Sequence, residues 1–476
     1  MSLVAVCLAV TGGILGGLAS HVQAQEKAPS RPNIVLIMAD DLGYGDLGCY
    51  GQARIQTPNL DKMARQGLRF TDFYSGSTVC APSRCTLMTG YHSGHSWIRG
   101  NGEIPLRPSD VTLAQVLQKA GYRTALFGKW GLGAEGTDAT PDKKGFDTYF
   151  GYLNHVHAHN YYPTHLWKDG KKVALKNIVP DEKPNGSGVS TNKAEYSHDL
   201  IAEQALAYLD EQRDQPFFMY VAFTLPHANN EAKKEGMEVP SLGIYEKLDW
   251  PAPQKAHAAM ISRMDQDVGR LLTKLKEKGL AENTIVLFTS DNGPHAEGGN
   301  DPLFNQSSGF LKGHKRSLTD GGIRVPLIVR WPGKIAADQK TDLISFNGDL
   351  LPTLAELAGA SASVPKDIDG LSILPTLQGK ADQQKQHDYL YWAFYENGGG
   401  QAVRKGDWKL IEQPIGSPLR LYDLTDEVIE GTDKAGMHPE LVKELQAAMT
   451  AAYTPSDRWI FEAAGAKKAG KGKQKN

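Results

Sequence analysis

The stretch Asn33-Ile-Val-Leu-Ile-Met-Ala39 contains almost only apolar residues and leads into the acidic pair Asp40-Asp41. A strand with one solvent face would alternate apolar and polar residues, so this run predicts a parallel strand covered on both faces. A second run of this kind, Thr284-Ile-Val-Leu-Phe-Thr289, leads into Asp291-Asn292-Gly293. Open α/β sheets bind ligands at the carboxyl ends of their strands, so the two runs predict acidic side chains at a binding edge.

Helical patterns alternate with further apolar runs between and around these two strands. Residues 112–120 and 262–278 have amphipathic helical patterns, and each pattern stops at a glycine. Residues 123–127, 217–223 and 324–331 are predicted to be strands. The alternation predicts an α/β fold in which helices sandwich a mostly parallel central sheet.

The pattern changes after about residue 375. Short β-like pieces at residues 390–394, 401–404, 407–411 and 419–422 precede a helical pattern at residues 439–453, which predicts a small antiparallel sheet with one helix. We therefore predict four segments: a signal peptide at 1–24, a large main domain at 25–374, a C-terminal α+β subdomain at 375–463, and a disordered Lys- and Gly-rich tail at 464–476.

The amino terminus and the charge balance bear on where the protein acts. Residues 4–19 are apolar, and Val22-Gln23-Ala24 has the small-x-small pattern of a cleavage site, so we expect a periplasmic or secreted protein. The rest of the chain has no apolar stretch of membrane length, which predicts no membrane span in the mature protein. With 52 basic and 54 acidic residues and no basic stripe, nucleic acid is not an expected partner.

The segment Cys80-Ala-Pro-Ser-Arg-Cys-Thr-Leu-Met-Thr-Gly90 resembles the signature of type I sulfatases, a formylglycine-dependent family of the alkaline-phosphatase superfamily. The resemblance, which extends to bacterial polysaccharide sulfatases and arylsulfatases, implies an alkaline-phosphatase-like fold and makes the main domain the sulfatase domain. It implies that a formylglycine-generating maturation enzyme oxidises Cys80 to formylglycine. The hydrated aldehyde would be the nucleophile, and the reaction would pass through a covalent sulfo-enzyme. Cys49 and Cys85 are left to pair or to remain free thiols.

The acidic strand ends predict a cation site. Asp40, Asp41, Asp291 and Asn292 offer only oxygen ligands, which are typical of a site for a hard divalent cation such as Ca²⁺ or Mg²⁺. The resemblance implies that these four residues, together with the modified Cys80, bind a single Ca²⁺.

Four basic residues are further candidates for the catalytic site. Arg84 follows Cys80 by one helical turn, where a guanidinium could stabilise negative charge on the nucleophile and the sulfate. The resemblance implies that Lys129, in Phe127-Gly-Lys-Trp-Gly131, binds the sulfate. It also implies that His227 and Lys315 contact the sulfate and the leaving-group oxygen. An alkoxide that leaves a sugar needs a proton, which an imidazolium or an ammonium can supply.

One position departs from the family pattern. Sulfatases commonly carry a histidine in the position that Gly131 occupies, whereas this chain has histidines downstream at positions 155, 157, 159 and 165. We expect one of His155, His157 and His159 to replace the missing imidazole or to contact the substrate. The alternative is a histidine-rich surface loop that binds metals incidentally.

These observations favour a calcium-dependent sulfatase that acts on a sulfated small molecule or glycan. The resemblance to polysaccharide sulfatases gives a weak preference for galactose or N-acetylgalactosamine sulfates, and Tyr161, Tyr162 and Trp167 are predicted to form a sugar-stacking rim. One alternative is a phosphodiesterase or phosphonate-ester hydrolase of the same superfamily, although ligands for a single metal favour sulfate. The other is a non-catalytic protein that binds sulfated glycans, an alternative that the glycine at position 131 keeps open.

Overall fold

The computed structural model describes residues 31–211 and 215–461, together with residues 2, 4, 5, 7 and 9. Most of the predicted signal peptide and all of the predicted tail lie outside the described residues, so both stay predictions. The strands are β1 (Asn33–Asp40), β2 (Leu68–Phe70), β3 (Phe73–Tyr74), β4 (Arg123–Lys129), β5 (Thr148–Tyr152), β6 (His165–Lys168), β7 (Lys171–Ala174), β8 (Phe217–Pro226), β9 (Thr284–Ser290), β10 (Leu327–Arg330), β11 (Gln339–Thr341), β12 (Ser345–Phe346), β13 (Leu390–Phe394), β14 (Gly400–Lys405), β15 (Trp408–Glu412) and β16 (Arg420–Asp423).

Nine α-helices occur among the described residues. They are α1 (Pro58–Arg65), α2 (Cys80–Thr89), α3 (Leu113–Lys119), α4 (Ser197–Tyr208), α5 (Ala252–Glu277), α6 (Asp320–Ile323), α7 (Leu350–Leu357), α8 (Leu374–Leu377) and α9 (Pro439–Ala451). In this described part of the chain, no helix combines the length and the apolar character that crossing a bilayer requires.

A ten-stranded sheet has the order β11-β2-β10-β9-β1-β8-β4-β5-β6-β7. Its centre, from β9 to β5, is parallel throughout, and every residue of β1 is buried between β8 and β9. Apolar clusters line both faces of the sheet under the covering helices. The prediction of a mostly parallel sheet sandwiched by helices is therefore confirmed.

The outer strands differ from the predicted pattern. The strand predicted at 324–331 is shorter, because β10 begins only after Pro326, whose nitrogen has no proton for a ladder hydrogen bond. It runs antiparallel to both of its neighbours. The opposite edge is the β6–β7 hairpin, which the sequence analysis missed. Asp169 and Gly170 form its turn with positive φ values of 46° and 80°, and this Asp-Gly pair is the signal that could have revealed it.

The C-terminal region forms a separate four-stranded antiparallel sheet in the order β13-β14-β15-β16. Helix α9 contacts β14 and β15, so the predicted small sheet with one helix is confirmed. This sheet also contacts the main body, where Trp392 Nε1 donates to the Ser75 carbonyl at 2.9 Å. The predicted domain boundary between residues 374 and 375 stays a prediction.

Candidate functional site

The candidate site lies at the carboxyl ends of β1 and β9. These strands pair in parallel with Ala39 opposite Ser290, so the acidic residues that follow them meet. The chain turns sharply at Asp41, whose φ is 65°, and the Asp41 N–H donates to Asp291 Oδ1 at 3.0 Å. Asp40, Asp41, Asp291 and Asn292 are all at least 99% buried. The structure thus brings all four predicted oxygen ligands together.

Cys80 lies at the first position of α2 and points at these acids. Its Sγ is 3.3 Å from Asp40 Oδ1 and 3.9 Å from Asp41 Oδ1. Burial and the charge of Asp40 raise the pKa of the Cys80 thiol well above its ordinary value. As encoded, the side chain is therefore a neutral thiol at physiological pH, whereas a thiolate would be needed for nucleophilic attack by sulfur.

Three buried cationic side chains pair with the carboxylates of the cluster. Arg84 donates through Nε and Nη2 to Asp291 Oδ2 at 3.0 and 2.8 Å. Lys129 Nζ donates to Asp40 Oδ2 at 2.7 Å, and Lys315 Nζ donates to Asp41 Oδ2 at 2.7 Å. Lys129 was predicted to follow its strand and is instead the last residue of β4.

The titration of the cluster shows how closely its charges are packed. Burial would raise the pKa of Asp40, but the charges of Lys129 and Arg84 hold this pKa well below its ordinary value. Burial and the charge of Asp40 raise the pKa of Asp291 to about 7. The site therefore retains a proton near neutrality that a further cation would displace.

Two oxygen atoms of the cluster support the fit of a metal ion. Asn292 Nδ2 donates to Asp41 Oδ1 at 2.7 Å, but Asn292 Oδ1 is buried and has no hydrogen-bond partner among the described residues. Asp40 Oδ1 contacts the thiol of Cys80, which is only a weak donor. A hard divalent cation would satisfy both oxygens, so the residues present fit an ion of this class.

His227 and Lys315 form a hydrogen-bonded pair beside Asp41. Lys315 Nζ is 3.2 Å from His227 Nε2, and His227 Nδ1 is 2.6 Å from the Ala228 carbonyl, an arrangement that assigns the ring proton to Nδ1. Burial and the charge of Lys315 lower the pKa of His227 to about 3. Burial would lower the pKa of Lys315, but the charge of Asp41 raises this pKa well above its ordinary value. At neutral pH the lysine of this pair carries the positive charge.

The sequence analysis missed two residues of this site, His295 and Glu297. With Asp41 they form a group whose potential ligand atoms all lie within 4.8 Å of one another. Glu297 Oε2 also lies 3.4 Å from Lys315 Nζ. Their closeness in sequence to the Asp291-Asn292-Gly293 strand end is the signal that could have identified them.

His155 lies directly beside Gly131. The Gly131 N–H donates to the Leu153 carbonyl at 3.0 Å, which aligns the two chain segments beyond the paired strands β4 and β5. A Cβ atom at position 131 would lie 3.4 Å from His155 Cβ, 3.7 Å from Arg84 Cδ and 3.8 Å from Lys129 Cε. His155 thus occupies the surroundings into which a side chain at position 131 would extend.

The other two histidines of the predicted cluster face different neighbours. His159 stacks on His227 with 4.8 Å between ring centroids, and its Nδ1 is 3.3 Å from Glu231 Oε2. His157 instead packs against His165, with 4.7 Å between ring centroids. His155, His157 and His159 therefore lie in three different environments.

The predicted sugar-stacking rim is wrong for the tyrosines and the tryptophan. Tyr161, Tyr162 and Trp167 are 0%, 6% and 6% exposed, which leaves no aromatic face for a sugar. The Tyr161 hydroxyl donates to the carbonyls of Thr224 and His227 at 2.7 and 2.6 Å. Tyr161 therefore supports the backbone that carries His227.

Cys49 and Cys85 are free thiols in the structure, and burial raises the pKa of each to about 12. In the Cys49 case, Asp61 adds to the effect of burial.

Comparison with known proteins agrees with this geometry. The Sulfatase family model matches residues 32–360, and the model of the N-sulphoglucosamine sulphohydrolase C-terminal region matches residues 310–452. Human arylsulfatase A is 35% identical over 409 residues, covering 79% of this chain and 74% of that enzyme. An N-acetylgalactosamine-6-O-sulfatase of Bacteroides thetaiotaomicron is 30% identical over 515 residues, covering 93% and 97%. The chain belongs to the sulfatase family and is a sulfuric ester hydrolase.

Solved structures show the same architecture. The crystal structure of Ps i-CgsB in complex with k-i-k-neocarrahexaose superposes with a TM-score of 0.75 at 26% identity, covering 91% of this chain and 95% of that one. A phosphonate monoester hydrolase of Agrobacterium radiobacter has a TM-score of 0.62 at 22% identity, covering 89% and 95%, and this similarity concerns the fold alone.

Proposed function

We propose that this protein is a calcium-dependent sulfatase that hydrolyses sulfate esters of a sulfated carbohydrate, with formylglycine derived from Cys80 as its nucleophile. The carrying observation is the position of Cys80 Sγ, 3.3 Å from Asp40 Oδ1 at the edge where the acidic and cationic side chains meet. A small polar side chain at the start of a buried helix can there reach both a metal ion and an anionic ester.

Asp40, Asp41, Asp291 and Asn292, with the modified residue 80, would hold the calcium ion. When bound, the ion supplies positive charge that polarises a sulfate oxygen and orients the ester. The buried Asn292 Oδ1, which has no hydrogen-bond partner within residues 31–211 and 215–461, supports this assignment.

Arg84 and Lys129 would bind the sulfate and stabilise the nucleophile. Both side chains are 1% exposed, and the Arg84 Nη1 donates to the Lys129 carbonyl at 3.1 Å, which fixes the two relative to each other. Fixed charges in a water-poor site act strongly on developing negative charge.

Lys315 and His227 would handle the proton of the leaving group. The charged Lys315 donates toward His227 Nε2, so the pair holds a proton next to the cluster. An alkoxide that departs from a sugar takes up this proton, and the ring of His159, stacked on His227, fixes the imidazole plane.

His155 would supply the imidazole that position 131 lacks. It is 6% exposed and lies beside Arg84 and Lys129 through the contacts of Gly131. Burial and the charge of Lys129 lower the pKa of His155 to about 3, so its ring is neutral at physiological pH. This choice among the three histidines rests on their different neighbours.

The relatives support a carbohydrate substrate. They include N-acetylgalactosamine-6-sulfatase of Rattus norvegicus, at 34% identity over 380 residues, and the complex of Ps i-CgsB with an oligosaccharide. We therefore propose a glycan carrying galactose or N-acetylgalactosamine sulfate, a maturation enzyme that oxidises Cys80, and a periplasmic or secreted location reached through the signal peptide at 1–24.

Two measurements test the proposed function. Mass spectrometry of the peptide containing Cys80, from protein produced with a formylglycine-generating enzyme, should show formylglycine at position 80. The same protein should release sulfate from sulfated galactose or N-acetylgalactosamine and leave a phosphonate monoester intact. Faster hydrolysis of the phosphonate would favour the phosphonate-ester hydrolase, and glycan binding without release of sulfate would favour the non-catalytic alternative.

A further inference from the structure

We propose that His157, His165 and Glu182 form a second metal site, for a zinc-type transition-metal ion, outside the catalytic cluster. One potential ligand atom of each residue lies within 4.8 Å of those of the other two. The three residues come from separate segments of the chain: the short 3-10 helix His157–His159, strand β6 and the loop after β7. A bound ion would therefore join three segments that local structure alone does not hold together.

His157 provides an independent sign of a missing ligand. The ring is 2% exposed, and its Nε2 is buried without a hydrogen-bond partner among the described residues. The ring packs against Gly186, where an added Cβ atom would lie 2.6 Å from His157 Cδ2.

Glu182 already faces His165. Its Oε1 lies 3.8 Å from His165 Nδ1 and accepts a hydrogen bond of 2.6 Å from Thr164 Oγ1. A hydroxyl that orients a carboxylate is a typical outer partner of a metal ligand. The separation of 3.8 Å is longer than a hydrogen bond, and Thr164 Oγ1, 3.1 Å from His165 Nδ1, bridges the two side chains. An ion would therefore bind His165 through Nε2 or displace this hydroxyl from Nδ1.

The donor set selects the metal. Two imidazoles and one carboxylate suit zinc and related ions, whereas calcium prefers oxygen ligands alone. A cavity of about 350 Å³ is lined by His157, His165, Asn154 and Asn185 and can admit water as a further ligand. The nearby Lys172 is partly neutralised, since its Nζ lies 3.6 Å from Glu135 Oε2.

The position of this site gives it a role in the loop. His157 lies between His155, which packs beside Gly131, and His159, which stacks on His227. An ion on His157 would restrain both neighbours from a distance, so the metal would act through positioning. Its binding does not depend on the proposed sulfatase chemistry.

A second histidine cluster supplies a matched control. His92, His95 and Asp369 also bring ligand atoms within 4.8 Å of one another. There, however, the carboxylate accepts hydrogen bonds of 2.9 Å from the His92 N–H and from His95 Nδ1. Both carboxylate oxygens of Asp369 therefore have a hydrogen-bond donor without an ion.

The test measures metal binding directly on the full-length protein. Protein stripped with a chelator and resupplied with excess calcium is titrated with Zn²⁺ by calorimetry and with Co²⁺ by visible absorption. We expect one tight zinc site, a rise in Tm and cobalt bands typical of nitrogen and oxygen ligands. His165→Gln and Glu182→Gln should each weaken this binding by roughly tenfold or more, whereas His95→Gln should leave it unchanged.

Absence of tight zinc binding, or binding lost in His95→Gln but retained in His165→Gln and Glu182→Gln, would overturn the proposal. Circular dichroism of each variant separates loss of a ligand from loss of the fold. A protein that binds zinc as expected but lacks sulfatase activity would contradict the proposed function and leave this inference intact. Sulfatase activity without tight zinc binding would overturn this inference and leave the proposed function intact.

Discussion

Two buried clusters of charged side chains in this molecule differ in how completely they are satisfied. Between the main body and the C-terminal sheet, Lys409 Nζ donates to Asp320 Oδ1 at 2.7 Å and to Glu430 Oε1 at 2.9 Å. Tyr74 donates to Asp320 Oδ2 at 2.9 Å, and the Asp320 N–H donates to Glu430 Oε2 at 2.8 Å. Each carboxylate oxygen of that structural cluster therefore has a strong donor.

The proposed catalytic cluster is equally buried, but two of its oxygens lack a strong hydrogen-bond donor. Asn292 Oδ1 has no hydrogen-bond partner in the described part of the chain, and Asp40 Oδ1 faces the weak thiol donor of Cys80. Burial and ion pairing alone therefore do not mark a functional site. The unmet acceptors beside a nucleophile do, because protein structures rarely leave buried polar groups unpaired without a reason.

Removing the nucleophile should have the largest effect. We expect Cys80→Ala to retain the fold and to bind calcium through the four remaining ligands, while turnover falls by several orders of magnitude, roughly as other deletions of nucleophiles do. Steady-state kinetics on an aryl sulfate, with circular dichroism as the control for folding, measures this. Activity near that of the wild type would remove the central claim.

Removing a ligand should affect both binding and stability. Asp291→Ala deletes an oxygen ligand and also removes the shorter of the two ion pairs of the buried Arg84, which keeps Asp40 Oδ2 at 3.5 Å. Breaking a buried pair typically costs at most about 3–5 kcal/mol. We expect weaker calcium binding by calorimetry, a lower Tm and loss of turnover. If chelation and calcium addition leave the Tm and turnover of the wild type unchanged, the cation site is wrongly assigned.

The structural cluster should respond in stability alone. Lys409→Met leaves Asp320 and Glu430 buried and facing each other, which should cost about 3–5 kcal/mol of unfolding free energy. Turnover per folded molecule should stay at the wild-type value. Lys405 lies on the adjacent strand β14 and forms an exposed pair with Glu444 of α9. Lys405→Met removes this pair, is the matched control and should change the Tm little. A large loss of turnover at full folding would contradict the separation of the two clusters.

Changing His155 should slow one step of catalysis. If this imidazole assists release of sulfate, His155→Ala should give a burst of desulfated product followed by slow turnover, whereas a sugar contact should mainly raise KM for the glycan and spare an aryl sulfate. His159→Ala, which removes the ring stacked on His227, is the comparison variant. Wild-type kinetics of His155→Ala on both substrates would return this residue to a structural role.

The smallest expected difference between the two clusters lies in how the stability of the protein depends on pH. Burial raises the pKa of Asp291 and of Glu430 to about 7, in each case with a neighbouring aspartate adding to it. An acid whose pKa is raised by folding binds more protons when folded, so the contribution of these two carboxyls to the stability of the metal-free protein should fall as the pH rises from about 4 to about 7. For Asp291 alone the loss is at most about 4 kcal/mol, from three pKa units at about 1.4 kcal/mol each.

Calcium should remove only the part of this loss that belongs to Asp291. Because protons and calcium compete for that carboxylate, the apparent calcium affinity should fall as the pH drops below about 7. Denaturant unfolding at several pH values, with calcium and with a chelator, measures both effects. Identical stability curves under the two conditions would contradict the assignment of Asp291 as a ligand.

The sequence predicted more of the catalytic cluster than of its surroundings. The positions of Asp40 and Asp291 after buried strands, and the helix that begins at Cys80, follow from local apolar patterns and a contiguous signature. The sequence analysis missed Glu297 because a lone acidic residue in a loop has no periodic pattern. It placed aromatic residues on a rim because it had no means of telling a buried tyrosine from an exposed one.

The sequence by itself determined the parallel sheet, the acidic strand ends and the helix that begins at Cys80, because short-range patterns record burial and backbone preference. Only the tertiary structure decided which histidine lies at the site. His155, His157 and His159 alternate along a few residues of loop, yet they face Gly131, His165 and His227 respectively. Those partners are set by the pairing of β4 with β5 and by loops distant in sequence, and no local pattern encodes such long-range contacts.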